Sequence, residues 1–298
     1  MSLKEESFVN VEPDKWFECK TIKINKYCEK WEIRKRLGGG YNGNIFNVVD
    51  SLSSDSEKYV LKIPRENTSK EYFYSEIHNL QKLSGNIQIP TIIDYCDKKE
   101  NPFLVYKHIP GTSLHDMILN KGNIPLRDTI VAIFKLLDTI KYCHDKKIIH
   151  RDIKPANIIC RNDDINDLVL IDFGLSVDIE NCHHASGGTI YGNRSLVTPE
   201  FWIGDDKENP VSDLTYICGS VFFYMLFGCL PYVMTDEKGN PPHKRKKVIE
   251  IMDEWKREEI EIMNSFFEKV FSPHISRRFQ NVDEIKDFLS KICFSQTR

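Results

Sequence analysis

Two short stretches constrain this chain more than any other feature: His150-Arg151-Asp152-Ile153-Lys154-Pro155-Ala156-Asn157 and Ile171-Asp172-Phe173-Gly174. They set two acids and an amide around one point, with basic residues among them. Hard oxygen donors beside a lysine suit a site that holds metal ions on a polyphosphate while accepting a proton from a hydroxyl. Any fold for this chain must bring a polar loop and the end of the short apolar strand Leu168-Val169-Leu170-Ile171 together.

The sequence around these stretches divides by periodicity. Trp31 to Leu37 alternates apolar and polar residues as a half-buried strand does, and Asn44 to Val49 reads as the returning strand. Between them lie glycines 38, 40 and 43 in a G-x-G-x-x-G pattern, a hairpin tip able to lie over phosphates. A dinucleotide-binding turn has the same spacing, but it runs straight into a helix, whereas a strand is expected here. Tyr59 to Ile63 reads as a third strand carrying Lys62, an amine among apolar neighbours that calls for an anionic partner. Ser69 to Leu83 repeats Phe73, Ile77, Leu80 and Leu83 at helical spacing, with Glu76 preferred over Glu71 as that partner. Thr91 to Tyr95 and Phe103 to Tyr106 complete five strands.

Beyond residue 107 helices dominate: Leu114 to Leu119, Leu126 to His144, an apolar helix ending at Leu226, Lys246 to Arg257, Glu259 to Val270 and Val282 to Cys293. Ser176 to Val197 reads as a loop, and residues 1–30 as a partly ordered extension. The length of 298 residues allows two lobes or one large domain, and an apolar content of 41% is enough for a substantial core. A net charge of −3 provides no basic footprint for nucleic acid. No apolar run approaches the roughly 18 residues of a membrane span, and no signal peptide opens the chain. Nine scattered cysteines suggest free thiols in a reducing, intracellular setting; cytoplasm is expected, with the nucleus left open. The fragment Cys182-His183-His184 lacks a second ligand cluster and reads as loop. The basic run 243–247 reads as a solvated helix start.

On the 150–157 and 171–174 motifs, with the glycine hairpin and Lys62 upstream, the chain resembles the eukaryotic-type protein kinases, specifically the serine/threonine branch. The resemblance covers about residues 31–295. It implies an α+β bilobal fold: a small five-stranded β lobe with one main helix (about 31–107), a larger mainly helical lobe (about 108–295), and MgATP in the cleft. The implied reaction is transfer of the ATP γ-phosphate to Ser/Thr hydroxyls of proteins. Asp152 would be the base, Lys154 would neutralise the γ-phosphate, and Asn157 and Asp172 would hold Mg²⁺. ATP would meet Leu37, Gly38, Gly40, Gly43, Ile45, Val60, Lys62 (held by Glu76), Tyr106, Lys107, Ile109 and Ile159. Glu200, Asp213 and Arg278 would be structural, Glu200 pairing with Arg278 and Asp213 bracing the 150–157 loop.

Lys154, two positions after Asp152, fits the serine/threonine branch. Intact Lys62, Asp152, Asn157 and Asp172 argue against a pseudokinase scaffold. The H-R-D-x-K-P string argues against a small-molecule kinase. Departures from the pattern are Val60 and Thr198 in place of alanines, and Asn193 in place of a threonine. Arg151 before Asp152 suggests a loop ordered by phosphorylation, with Ser186, Thr189 and Tyr191 as candidates. Expected partners are protein substrates and, for autophosphorylation, a second copy in transient contact; nucleic acid and membrane are not expected. Neutral Ser113, Ala156 and Tyr224 predict no strong preference for arginines N-terminal to the target.

Overall fold

The computed structural model describes residues 30–40, 43–53, 57–65, 70–98, 102–181, 195–200 and 209–294. By its contacts the chain forms two compact units, Met1–Thr68 with Ile93–His108, and Ser69–Ile92 with Ile109–Arg298.

The first unit is a five-stranded sheet. Its strands are β1 (Trp31–Gly40), β2 (Gly43–Asp50), β3 (Tyr59–Ile63), β4 (Ile92–Cys96) and β5 (Phe103–Lys107), in the order β1-β2-β3-β5-β4. The β1–β2, β2–β3 and β3–β5 pairs are antiparallel. Alternation along the strands sorts side chains to two faces. One face buries Trp31, Phe46, Val48, Leu61 and Val105, with Ile33, Tyr59, Ile63 and Phe103 packed against them. The Trp31 ring lies edge-on to Tyr59 at 5.0 Å and its Nε1–H donates to Asp94 Oδ2 at 2.9 Å, so the apolar ring is buried with its one donor satisfied.

The second unit is mainly helical. It contains α1 (Lys70–Lys82), β6 (Gly111–Ser113), α2 (Leu114–Lys121), α3 (Leu126–Asp145), β7 (Ile148–Ile149), β8 (Ile158–Arg161), β9 (Leu168–Leu170), β10 (Val177–Asp178), β11 (Leu196–Val197), α4 (Pro210–Phe227), β12 (Tyr232–Val233), α5 (Lys246–Met252), α6 (Arg257–Val270) and α7 (Val282–Phe294). The helix expected in the small lobe, α1, groups by its contacts with this unit. Its apolar stripe of Phe73, Ile77, Leu80 and the following Leu83 is buried as the spacing predicts.

Short ladders replace part of the expected loop: β10 pairs with β7, and β11 runs parallel to β12. Two-residue strands carry no periodicity, which is why the sequence reads them as loop. Gly111 is required where β6 meets β8, since its φ is 126° and a Cβ there would lie 2.0 Å from the Cys160 carbonyl oxygen.

Helix α4 reaches a membrane-spanning length by mean composition, although no uninterrupted apolar run does. It has 18 residues with a mean hydropathy of 1.3, but 94% of it is buried, as in a core helix. Ser212, Thr215 and Ser220 interrupt the run in sequence, yet the helix buries all three; Thr215 Oγ1 donates back to the Val211 carbonyl at 2.8 Å. Its middle, Ile217–Phe222, is π-helical. Phe222, Phe223 and Phe227 pack on Phe266 and Phe267 of α6.

Helix α5 ends at Met252, short of the expected Arg257. The next helix starts afresh there, with the Glu259 carboxylate accepting from the Lys256 backbone N–H at 3.1 Å. The basic run 243–247 is also not a uniformly solvated helix start. His243 is fully buried, stacked on Phe267 and Phe271, while Lys244 reaches Asn264 and Arg245 donates to the Pro231 carbonyl.

Candidate active site

In the second unit, residues 150–157 are built on a buried carboxylate. Asp213, at the first turn of α4, is fully buried and accepts from two successive backbone amides: His150 N–H to Oδ2 and Arg151 N–H to Oδ1, both 2.8 Å. His144, in the last turn of α3, adds its Nε2 at 3.1 Å from Oδ2. Burial alone would raise the pKa of Asp213, but the bond from His144 and these amides hold it below the ordinary carboxylate value. The loop therefore rests on a fixed anion, and Arg151 is held at φ 68°, a conformation rare for a side-chain-bearing residue.

His150 locks the next layer. Its buried ring lies edge-on to Phe173 at 4.6 Å, Nδ1 accepts from the Asp152 backbone N–H, and Nε2 lies 3.2 Å from the Ile171 carbonyl. Burial depresses its pKa, so the ring is neutral. The acceptor role of Nδ1 then places its single proton on Nε2, facing Ile171. One ring thus ties Asp152 to the segment that presents Asp172.

Asp152 is 5% exposed. Its Oδ2 accepts from Lys154 Nζ at 2.6 Å and from Asn157 Nδ2 at 2.9 Å, and Asn157 Nδ2 also donates to the Asp152 carbonyl at 2.9 Å. Oδ1 is buried without a hydrogen-bond partner among the described residues. Desolvation is the largest influence on this carboxyl and, despite Lys154, raises its pKa above the ordinary value. Asp172 adopts a left-handed backbone, φ 62° and ψ 74°, and the Ile171 N–H donates to the Asn157 carbonyl at 2.9 Å. Asn157 engages its amide N–H₂ with Asp152, leaving its side-chain oxygen as the atom suited to a cation. Asp172 and the Asn157 side chain offer oxygen donors, which fit a hard divalent ion.

The remaining expected positions fall as follows. In the first unit, strand register places Ile45 opposite Lys62, Lys62 opposite Leu104, and Val60 opposite Tyr106. Directly paired residues project to the same side, so Ile45, Val60, Lys62 and Tyr106 share the face opposite the Trp31 core. A register shift between Arg36 and Gly38 sets Leu37 in a bulge, 48% exposed, and Gly38 pairs with Ile45. At Gly43 a Cβ would lie 2.6 Å from the Ile63 carbonyl oxygen, and Gly40 is its β-pair partner. Lys107 is exposed and pairs with Glu57.

In the second unit Glu76 is buried and Glu71 exposed, Ile109 is half-buried, and Ile159 pairs with Ser113 and Val169. Glu200 and Arg278 form a bidentate ion pair at 2.5 and 2.8 Å, with Arg278 1% exposed and its Nε donating to the Ser272 carbonyl. Despite burial, these bonds keep Glu200 below its ordinary pKa. Ser186, Thr189, Tyr191 and Asn193, like Cys182, His183 and His184, lie outside the described residues.

Sequence reasoning missed three positions near the site: His144, Asn79 and Asp178. Asn79 Nδ2 donates to Ser176 Oγ at 2.8 Å, and Ser176 Oγ donates to the Phe173 carbonyl at 2.6 Å. The available signal was an amide inside the apolar stripe of α1, three residues after Glu76, where an unbonded polar group would be costly.

Comparison with known proteins agrees with this geometry. A protein kinase domain matches residues 31–298. The calcium/calmodulin-dependent protein kinase cmkB of Emericella nidulans is 33% identical over 216 residues, covering 68% of this chain and 50% of that protein. The calcium/calmodulin-dependent protein kinase type 1 of Caenorhabditis elegans is 33% identical over 208 residues, 68% of this chain and 58% of its own. Serine/threonine-protein kinase D of a Synechocystis strain is 31% identical over 225 residues, 70% and 43%. The matched part spans about half the length of such curated relatives, from 33% to 61%. With the match over residues 31–298, the chain belongs to the protein kinase domain family.

Proposed function

We propose that this chain is a serine/threonine protein kinase that transfers the γ-phosphate of ATP to protein hydroxyls. One observation carries the reading: Asp152 holds one oxygen on Lys154 and Asn157 and keeps the other buried and unpartnered among the described residues. That second oxygen is the acceptor for the hydroxyl proton of a substrate. A carboxyl with a raised pKa is a stronger base than a solvated one, and a positioned base contributes roughly 10²–10⁴-fold. Lys154, fixed on Asp152, brings positive charge to the moving phosphoryl group. Asn157 and Asp172 are the residues that would hold Mg²⁺; when bound, the ion neutralises charge on the phosphate oxygens. Lys62, Val60, Ile45 and Tyr106 form the sheet face that meets the nucleotide.

Substrate choice is read from three positions. Ser113 caps α2 by accepting from the Asp116 N–H and donating to its carboxylate. Tyr224 is buried and stacked on His115, and Ala156 is uncharged. None of the three offers a carboxylate to an arginine N-terminal to the target.

The test is transfer of labelled phosphate from ATP to the chain itself and to a Ser/Thr peptide library. Wild type should label Ser or Thr only with Mg²⁺, and Asp172→Ala should fall by on the order of 10² or more. Label on tyrosine alone, or none on any protein, would overturn the reading.

A further inference from the structure

The segment after Asp172 is tied to α1 by a pair of polar contacts that the expected machinery does not use. One turn beyond Glu76, Asn79 is 1% exposed and donates to both Ser176 Oγ, at 2.8 Å, and the Ser176 carbonyl, at 3.2 Å. At the end of the helix, Lys82 Nζ lies 2.8 Å from Asp178 Oδ2. Asp178 is 7% exposed and fully occupied: Asn181 Nδ2 donates to Oδ2 at 2.9 Å, the Glu180 N–H donates to Oδ1 at 3.0 Å, and His78 Nε2 stands at 3.4 Å.

The other side of the segment is equally fixed. Val177 and Asp178 pair with Ile149 and Ile148, directly before His150, and the Ile179 N–H donates to the Lys147 carbonyl at 3.0 Å. Asp178 thus stands between α1 and the strand that leads into the 150–157 loop. The ionised state of this acid is strongly favoured: burial opposes it, but the bonds from Lys82 and Asn181 hold its pKa well below the ordinary value, and Lys82 is correspondingly raised.

Lys82 is 22% exposed and also lies 3.3 Å from Glu180 Oε2, so the pair contributes little net stability; what it fixes is geometry, because the Asp178 side chain, 5% exposed, loses its cation when Lys82 is removed. The helix it fixes is the one that bears Glu76.

We infer that Asp178, Lys82 and Asn79 are positioning residues that pin α1 to the Phe173–Asp178 segment, setting Glu76 and Asp172 in register for phosphoryl transfer. This rests on the kinase reading above. It gives the chain a device for ordering α1 that is built from its own side chains.

The pin predicts a local effect. Asp178→Asn and Lys82→Met should each raise amide exchange across α1 by about tenfold, as expected for losing one charge-assisted contact, without raising it in α3 or α7. With the pin loosened, kcat should fall by roughly tenfold while KM for the peptide stays within about twofold. The double variant Lys82→Met with Asp178→Asn should be no worse than the more affected single, as expected of two ends of one contact.

The experiment is hydrogen exchange and steady-state transfer on the full chain for wild type, the two single variants and the double variant. Raised α1 exchange and lowered kcat in both singles, with effects that do not add in the double, supports the inference. Unchanged α1 exchange in the singles overturns it, as does raised exchange with wild-type kcat. Fully additive effects in the double variant overturn the pairing. If wild type transfers no phosphate but the singles still loosen α1, the kinase reading fails and the pin survives as a feature of the fold alone.

Discussion

Asp152 and Asp213 are buried acids serving the same eight residues, and their surroundings drive them in opposite directions. Asp213 has donors on both oxygens, from His150, Arg151 and His144, and its proton affinity is lowered. Among the described residues Asp152 has its donors on one oxygen only, and its proton affinity is raised. Desolvation is the largest influence on both. What differs is the count of donors each carboxylate receives. A saturated carboxylate is a brace and cannot usefully take a proton; one left short of donors retains a place for it.

A vacant buried polar atom does not by itself mark chemistry. Among the described residues both ring nitrogens of His243 lack hydrogen-bond partners, as do the hydroxyls of Ser212 and Ser220. His243 sits between Phe267 and Phe271, where stacking compensates for its missing partners and burial pushes its pKa down to about 4. Asp152 differs because a lysine and an amide fix its orientation while leaving one oxygen over. The comparison can be broken at three places.

The largest effect belongs to the other saturated carboxylate. Arg278→Ala should cost about 3–5 kcal/mol, since it strands Glu200 as a buried unpaired charge. Urea unfolding measures it, and a loss below about 1 kcal/mol would show that saturation is not what braces this region.

Next comes His243→Phe. With a native pKa of about 4, below the unfolded value, the unfolded state of the wild type binds the extra proton between pH 4 and 6.5. Stability should therefore rise with pH through that window, by on the order of 2–3 kcal/mol. In the variant the His243 part of this slope should be lost, leaving that of His150 and His108, also depressed by burial, while phosphate transfer stays intact; a slope unchanged by the substitution would remove His243 from the account.

The smallest effect is a separation in pH. Asp152 has a folded pKa above its ordinary 3.8, so its base form, and with it transfer, is lost on acidification above that pH. Asp213 and Glu200 have folded pKa values below their ordinary 3.8 and 4.5; their stabilisation is present above those values and lost below them. In the His243→Phe background, activity should disappear at a higher pH than near-UV circular dichroism. Coincident transitions would contradict the contrast.

Much of this was legible in the sequence because the signals were periodic or in fixed register. The alternation at Trp31 and Ile33 and the stripe of Phe73, Ile77 and Leu80 report burial directly, whereas register shifts after Ile33 leave Leu37 exposed, and the 150–157 motif points to the protein kinase domain. The unread parts depend on contacts between distant segments. Two-residue ladders such as Val177–Asp178 with Ile148–Ile149 leave no pattern. Asp178 looks like any loop acid until Lys82, on another element, is beside it. Nor does the run 243–247 show that its histidine turns inward while its lysines stay out.

The central claim is that Asp152 acts in chemistry and Asp213 in architecture. It is tested most directly by measuring Mg²⁺-dependent transfer and thermal unfolding side by side for Asp152→Asn and Asp213→Asn. Asp152→Asn should lose roughly 10²–10⁴-fold in kcat and unfold at the wild-type temperature or slightly above, since an amide needs no buried charge. Asp213→Asn should unfold earlier, by about 1–3 kcal/mol for a backbone amide left without its acceptor. Retained transfer in Asp152→Asn, or an Asp213→Asn protein as stable as wild type, would contradict it.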